Sequence, residues 1–245
     1  MTTPLILVTG SAGRIGRAVV KELSARGQRV RGFDRVPTPG LTDAVVGSIT
    51  DAAVCAKAAK DIHTLIHLAA TPDDVDDVVG DLVPNNVVGV YRIFEAARLA
   101  GVKRMVLASS GQVVWRQRQT GPLPIGVDVQ PTPRYWYAAM KVFLEAAGRA
   151  YADTHGISVI AVRLGWCPRP GQEKEIAAQE WAQDVYLSPN DAGRFFACAA
   201  AAPHPIHFAV VYATSLPVRN CPYDLGPART LLGYVPQETW PSGME

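Results

Sequence analysis

The stretch LILVTGSAGRIG, residues 5–16, constrains the fold more than any other part of the chain. An apolar run from Leu5 to Thr9 is followed at once by Gly10, Gly13 and Gly16, spaced in steps of three. Apolar residues at helical spacing then continue to Gly27. A buried strand that turns sharply into a helix needs small residues at the turn. A phosphate approaching the backbone N–H groups at that helix's start needs the same absence of side chains. The arrangement predicts dinucleotide binding, with a tight turn serving helix packing alone as the alternative. The GxxxxGK[ST] spacing of an ATPase phosphate loop is missing here.

The same grammar repeats through the first half. RVRGFD at 29–34, a weaker DAVVG at 43–47, IHTLIHLAA at 62–70 and RMVLASS at 104–110 read as strands. Helical stretches separate them at 51–61, with Asp51 at the helix start, and at about 81–99. Strands alternating with helices predict a mostly parallel sheet covered on both sides. Gly32, inside a strand, is the one local dissenter. Residues 120–134 are a proline-rich loop, because proline supplies no N–H for a helix or a central strand. A helix of about 18 residues starts near Trp136, and ISVIAVRLG at 157–165 is another buried strand. Residues 166–190 mix turns with a short helix and form a candidate substrate loop or lid. A helix over 191–202, capped through Asn190 or Asp191, a strand at 206–214 and a short helix within 224–237 complete the chain. These elements divide into a core over 1–165 and a small substrate-binding region over 166–245, interleaved with the last core elements.

Composition removes several classes of function. Of 245 residues, 48% are hydrophobic, so the chain can bury a sizeable core. Its formal charge of +2, with no long basic block, gives no reason to expect nucleic acid or an anionic membrane as partner. No apolar stretch is long enough to span a bilayer. The opening lacks the pattern of a cleaved leader, so a cytoplasmic protein is expected. Cys55, Cys167, Cys198 and Cys221 have neither CxxC spacing nor nearby histidines, and no metal is expected.

Two local patterns carry chemistry. Asp34 ends the second strand, 18 residues beyond Gly16, where a carboxylate can accept both ribose hydroxyls of a dinucleotide. It would repel a 2′-phosphate, which favours NAD over NADP, although the guanidinium of Arg35 could attract that phosphate. A solvated loop carboxylate is the plainer reading of Asp34. In YAAMK, Tyr137 and Lys141 stand at i and i+4 and share one helix face. A phenol titrates near pH ~10, and a neighbouring ammonium favours the phenolate, making it a better base at neutral pH. The alternative is an aromatic packing residue beside a lysine stem.

Taken together, TGSAGRIG at 9–16, HLAA at 67–70, NNVVG at 85–89, ASS at 108–110 and YAAMK resemble the extended short-chain dehydrogenase/reductase family in order and spacing. The resemblance implies a Rossmann-like, doubly wound, mostly parallel α/β sheet with a small C-terminal substrate-binding region, and NAD as cofactor. It implies that Tyr137 is the base, that Lys141 lowers its pKa and holds the nicotinamide ribose, and that Ser110 hydrogen-bonds the reacting oxygen. Cofactor contacts carry over to Gly10, Ala12, Gly13, Arg14, Ile15 and Gly16 in the first loop, then Asp34, Arg35, Ser48 and Ile49. Leu68, Ala69, Ala70, Asn86 and Ser109 follow, with Asn86 supporting the active-site end of the sheet. Ser48 stands where relatives often carry an aspartate against adenine. His67 is a strand histidine near the cofactor rather than a base.

RLGWCPRP at 163–170, YLSPNDAGRFF at 186–196, VVYATS at 210–215 and LLGYVPQ at 231–237 are similar to bacterial uronate dehydrogenases, which oxidise the anomeric carbon of glucuronate or galacturonate to an aldarolactone. On that pattern the substrate meets Thr71, Ser110, Gly111, Gln112, Tyr137 and Trp166, with Arg169 or Lys174 holding its carboxylate. Gly111 and Gln112 stand in place of an Asn and a His, and Trp166 in place of a small hydroxyl residue. The alternatives are a reductase, epimerase or dehydratase acting on another sugar-like or biosynthetic substrate, and an NAD-binding regulatory protein without turnover. The resemblance also implies a homodimer or higher homo-oligomer, paired through the helices near 81–99 and 136–154.

Overall fold

The computed structural model describes residues 3–203 and 206–244. Its strands are β1 (Leu5–Thr9), β2 (Arg29–Asp34), β3 (Ala44–Val46), β4 (Thr64–His67), β5 (Arg104–Ser110), β6 (Ser158–Leu164) and β7 (Phe208–Ala213). They form one parallel sheet in the order β3-β2-β1-β4-β5-β6-β7. From β1 the chain builds outward to β2 and β3, then returns and builds the other way from β4. That reversal leaves a crevice at the C-terminal ends of the strands, where ligands of such sheets bind.

The alternation of side chains along each strand builds two cores. Ile6, Val8, Val106, Ile160 and Val162 pack on one face of the sheet with Val19, Leu23, Phe195 and Phe196. Leu5, Leu7, Met105, Leu107 and Val159 pack on the other with Ile93, Phe94 and Leu144. Both faces are covered, which is why these strands read as continuous apolar runs rather than alternating ones. The first face is covered by α1 (Arg14–Ala25) and α8 (Pro189–Ala201), the second by α2 (Ala52–Ala59), α3 (Val90–Leu99) and α5 (Trp136–His155). Each fully buried phenylalanine contributes ~1.5–3 kcal/mol. The short helices α4 (Gln117–Thr120), α6 (Glu173–Ala177) and α7 (Glu180–Asp184) belong to the region beyond the strand ends, while α9 (Gly226–Leu232) packs Ala228 and Leu232 into the first core. Among the described residues, no helix is long and apolar enough to cross a membrane.

The Gly32 anomaly has a steric cause. A Cβ there would lie 2.8 Å from both Ser11 Oγ and Leu41 Cδ2, so β2 gives up a side chain to admit the hydroxyl of the glycine loop. Asp51 caps α2 as expected, accepting from the N–H groups of Ala53 and Val54 at 2.8 and 3.1 Å.

Two expectations are corrected. The helix over 81–99 is regular only from Val90, and two wide π-helical turns, Val78–Leu82 and Pro84–Gly89, precede it. Pro84 brings no N–H, and its ring crowds the carbonyl four residues earlier, which a widened turn relieves. The cap of α8 is Ser188, not Asn190 or Asp191. Ser188 Oγ accepts from Asp191 N at 3.0 Å, and Pro189 takes the first helical position, where its missing N–H costs nothing. Asp191 is instead a buried hub. Its carboxylate accepts from Ser215 Oγ, Arg194 and the N–H groups of Gln237 and Glu238, tying the C-terminal segment to α8.

Candidate active site

A cleft of about 680 Å³ opens at the strand ends of β1, β2, β4 and β5. Gly10, Ala12, Gly13, Arg14, Ile15 and Gly16 line it, as do Asp34, Arg35, Ser48, Ile49, Leu68, Ala69, Ala70, Ser109, Tyr137 and Lys141. The glycine loop is packed against itself. A Cβ on Gly16 would lie 2.0 Å from the Gly10 carbonyl oxygen, so only glycine lets the loop close tightly enough to present the first amides of α1. Asp34 sits at the end of β2 and its carboxylate accepts from Ala12 N at 3.0 Å and Arg35 N at 2.7 Å, fixing it beside the loop. Arg14 Nη1 is buried with no hydrogen-bond partner among the described residues. A cradle that a single methyl would fill, an acidic group at the ribose position and an unpaired cationic donor together fit a dinucleotide diphosphate. Asn86 does not line the cleft. It is buried beneath it, where its amide accepts from Thr71 N at 2.8 Å and donates to Thr71 O at 3.0 Å.

The start of α5 places Tyr137 and Lys141 in the cleft. Lys141 is 6% exposed and its Nζ donates to Ala108 O at 2.8 Å, which anchors the helix to the end of β5. The same Nζ lies 5.5 Å from the centre of the Tyr137 ring. Burial brings the Lys141 ammonium down to about 8. Tyr137 is pushed up to about 12, first by loss of water and then by the Asp73 carboxylate, with Asp74 adding to the rise. The hydrogen bond to Ser110 and the charge of Arg169 oppose that rise. The expectation that Lys141 leaves Tyr137 with a lowered pKa is therefore corrected. Desolvation and the Asp73 and Asp74 carboxylates set the direction, while the Lys141 ammonium is engaged by the Ala108 carbonyl. His67 is held down to about 3 by burial, with Lys141 as the second cause, and its Nδ1 lies 2.8 Å from Thr9 Oγ1. A neutral imidazole inside the sheet is not a base for the reaction.

Behind this face is a group that sequence reasoning missed. Glu145 follows Tyr137 and Lys141 at the next step of four along α5 and is buried. Its carboxylate takes Arg163 in a two-point pair, both contacts at 3.0 Å, and accepts from Ser109 Oγ at 2.6 Å. Helix α5 is thereby tied to β5 and β6. The recurrence at 137, 141 and 145 was the available signal.

The substrate end is assembled from distant segments. Thr71 lines the cleft and its hydroxyl is shared between Asp81 at 2.6 Å and Asn85 at 2.9 Å. Arg169 also lines the cleft, donates to Pro72 O and lies 3.5 Å from the Asp73 carboxylate. The Asp74 carboxylate accepts from the backbone N–H of Tyr137 at 2.9 Å, capping α5 across 63 positions of sequence. No local pattern could have indicated Asp73 or Asp74. Ser110 reaches Tyr137 but lies outside the cleft lining, as do Gly111, Gln112, Trp166 and Lys174. Lys174 is exposed on α6. Trp166 stacks on Trp181 with ring centres 5.6 Å apart, in the aromatic packing of the C-terminal region. The space in front of Gly111 is filled by Tyr223, whose hydroxyl would sit 2.4 Å from a Cβ at that position. Tyr223 stacks on Tyr212, which receives Arg163, so this ring is coupled to the Glu145 network.

A doubly wound parallel sheet with this glycine loop and a Ser–Tyr–Lys face defines a nicotinamide-dependent enzyme of the extended short-chain dehydrogenase/reductase type. The chain belongs to the NAD dependent epimerase/dehydratase family, whose model matches residues 6–175. It is 30% identical to the NAD-dependent glucose-6-phosphate dehydrogenase of Haloferax volcanii over 95% of this chain and 93% of that protein. It is 32% identical to the L-arabinose 1-dehydrogenase (NAD(P)(+)) of the same organism over 76% of this chain and 78% of that one. Among solved structures, the glucuronic acid dehydrogenase from Chromohalobacter salexigens superposes with a TM-score of 0.81 at 28% identity. That superposition covers 97% of this chain and 86% of the other.

Proposed function

We propose that this chain oxidises the anomeric hydroxyl of a free hexuronate, glucuronate or galacturonate, to the aldarolactone with NAD as acceptor. The observation that carries the reading is Arg169, a guanidinium at the rim of the cleft that Tyr137 lines. A hexuronate has a hydroxyl to lose its proton at one end and a carboxylate for a two-point guanidinium contact at the other. NAD, when bound, supplies the acceptor for the hydride that leaves C1. The hydroxyl proton passes to Tyr137 Oη, Ser110 orients the reacting oxygen, and Lys141 steadies the start of α5 and holds the ribose. The substrate loses one hydride and one proton, and its C1–O bond becomes the lactone carbonyl.

The segments around 166–188 and 214–244 act in this reading as the substrate-binding region, interleaved with α8 and β7. Exposed Tyr91 and Leu99 on α3, with Trp136 and Phe143 on α5, offer apolar faces through which a homodimer would pair. A second reading, a neutral aldose as substrate, is favoured by Asp73, which already engages Arg169 and gives the rim a negative charge. The relatives named above act on a sugar phosphate, a pentose and a sugar acid, so both readings stay within one chemistry.

NADH appearance, followed by absorbance with glucuronate, galacturonate and their neutral parent sugars, tests the proposal. Turnover confined to the uronates and lost in Tyr137→Phe is expected. Turnover only with the neutral sugars would replace the hexuronate with that class.

A further inference from the structure

The loop that follows β4 is pinned from both sides. Arg169, 97 positions later, donates to Pro72 O and pairs with Asp73, while Asp74 is held by the backbone N–H of Tyr137. Between these anchors Asp73 adopts a φ of 137°, a backbone region that residues with a side chain rarely occupy. Side chains of the Arg169–Asp73 pair are 53% and 57% exposed, and a pair so open to water adds little to stability. The strained backbone is therefore not explained by the strength of the contact. Strain that a fold maintains without a stabilising return is found at functional sites.

We propose that Asp73 is an internal counter-anion for Arg169, and that a sugar carrying a carboxylate or phosphate binds by taking its place on the guanidinium. Asp73 thereby sets the preference of the site between anionic and neutral sugars. An anion able to make two contacts to the guanidinium displaces the single long contact of Asp73, whereas a neutral sugar gains nothing by displacing it. The Asp73 carboxylate at the rim also repels an anion that fails to make that exchange. Asp73 is one of the groups that raise Tyr137 and Arg169 one of those that lower it, so the exchange changes the surroundings of the base as well. The inference rests on the reading of Arg169 as the group that meets the substrate's charge.

The test measures binding without turnover. Calorimetric affinities for D-glucuronate, D-glucose 6-phosphate and D-glucose are determined on the Tyr137→Phe protein saturated with NAD, with Asp73 intact and with Asp73→Asn. Asparagine keeps the shape of the side chain and removes its charge. The ratio of anionic to neutral affinity is expected to rise about tenfold in Asp73→Asn, for the carboxylate, the phosphate or both, and to lose that rise when Arg169→Gln is added. Equal changes for charged and neutral sugars, a rise that survives Arg169→Gln, or no binding of either anion would overturn the inference. Turnover by the unmodified enzyme decides the hexuronate reading separately, because a protein that binds glucuronate and oxidises another sugar still reports on Asp73.

Discussion

The two ends of the cleft are built on different principles. At the cofactor end, the phosphate loop is one run of consecutive residues, with Asp34 from the neighbouring strand held against it. Gly10 to Gly16 fold back on their own backbone, and Asp34 accepts from the next residue and from the loop beside it. At the substrate end, each defining contact joins segments far apart in sequence: Arg169 with Asp73, Asp74 with Tyr137, Tyr223 with Gly111. The cofactor end presents backbone amides from a loop that must lack side chains, with Asp34 and Arg14 beside it. The substrate end reads its ligand through side chains and can be rewritten by changing one loop while the sheet stays as it is.

The sharpest way to break this division is the link between the two ends. Glu145→Ala leaves the Arg163 guanidinium buried without its carboxylate and frees Ser109, so an unfolding free-energy loss of ~3–5 kcal/mol is expected in urea titrations. Sugar turnover and NAD binding should decline together, because both ends lean on this pair. Gly16→Ala acts on one end. The added Cβ meets backbone of Gly10 and Ser11, which cannot swing aside, and a cost of ~1–3 kcal/mol is expected. NADH fluorescence titration should show cofactor binding severely weakened. Gly111→Ala acts on the other end by pushing away the Tyr223 hydroxyl, the far end of a side chain. A loss of ~1 kcal/mol in kcat/KM for the sugar is expected, with the NAD dissociation constant held.

The smallest effect is in the pH profile. A base works in its deprotonated form, and Tyr137 is pushed up to about 12, so the rate of sugar oxidation should climb with pH through the neutral and mildly alkaline range. Lys141, brought down to about 8, loses its proton within that range and should flatten the climb above about 8. Because Asp73 raises Tyr137, Asp73→Asn should move the rising limb toward lower pH, with Asp74 and Arg169 still in place. Steady-state rates across pH for the two proteins would show it, and a limb that stays put would mean that Asp73 does not act on the base.

How far the site could be read in advance follows the same division. The presence and order of the strands and the steps at 10, 13, 16 and at 137, 141 were legible because each is a local pattern, while strand ends were not, β4 covering only Thr64–His67 of the run at 62–70. The course of the chain around Pro84 was legible only as a helix, since whether a proline breaks, kinks or widens a turn depends on what packs against it. The cap at Ser188 was not distinguishable by local pattern alone, because Asn190 and Asp191 nearby are equally good capping residues. The raised pKa of Tyr137 was not legible, because its first cause is burial and its second is a carboxylate 64 positions away, while only Lys141 at i+4 shows in the sequence.

The sequence by itself determined the parallel sheet, the cofactor loop and the Tyr–Lys face, since backbone conformation and side-chain periodicity act over a few consecutive residues. Only the tertiary structure decided that Arg169 meets Asp73, that Asp74 caps the catalytic helix and that Tyr223 fills the space in front of Gly111. Those contacts arise where loops of no fixed period converge on the ends of the strands. Their partners are chosen by distance in space, which residue order does not encode locally.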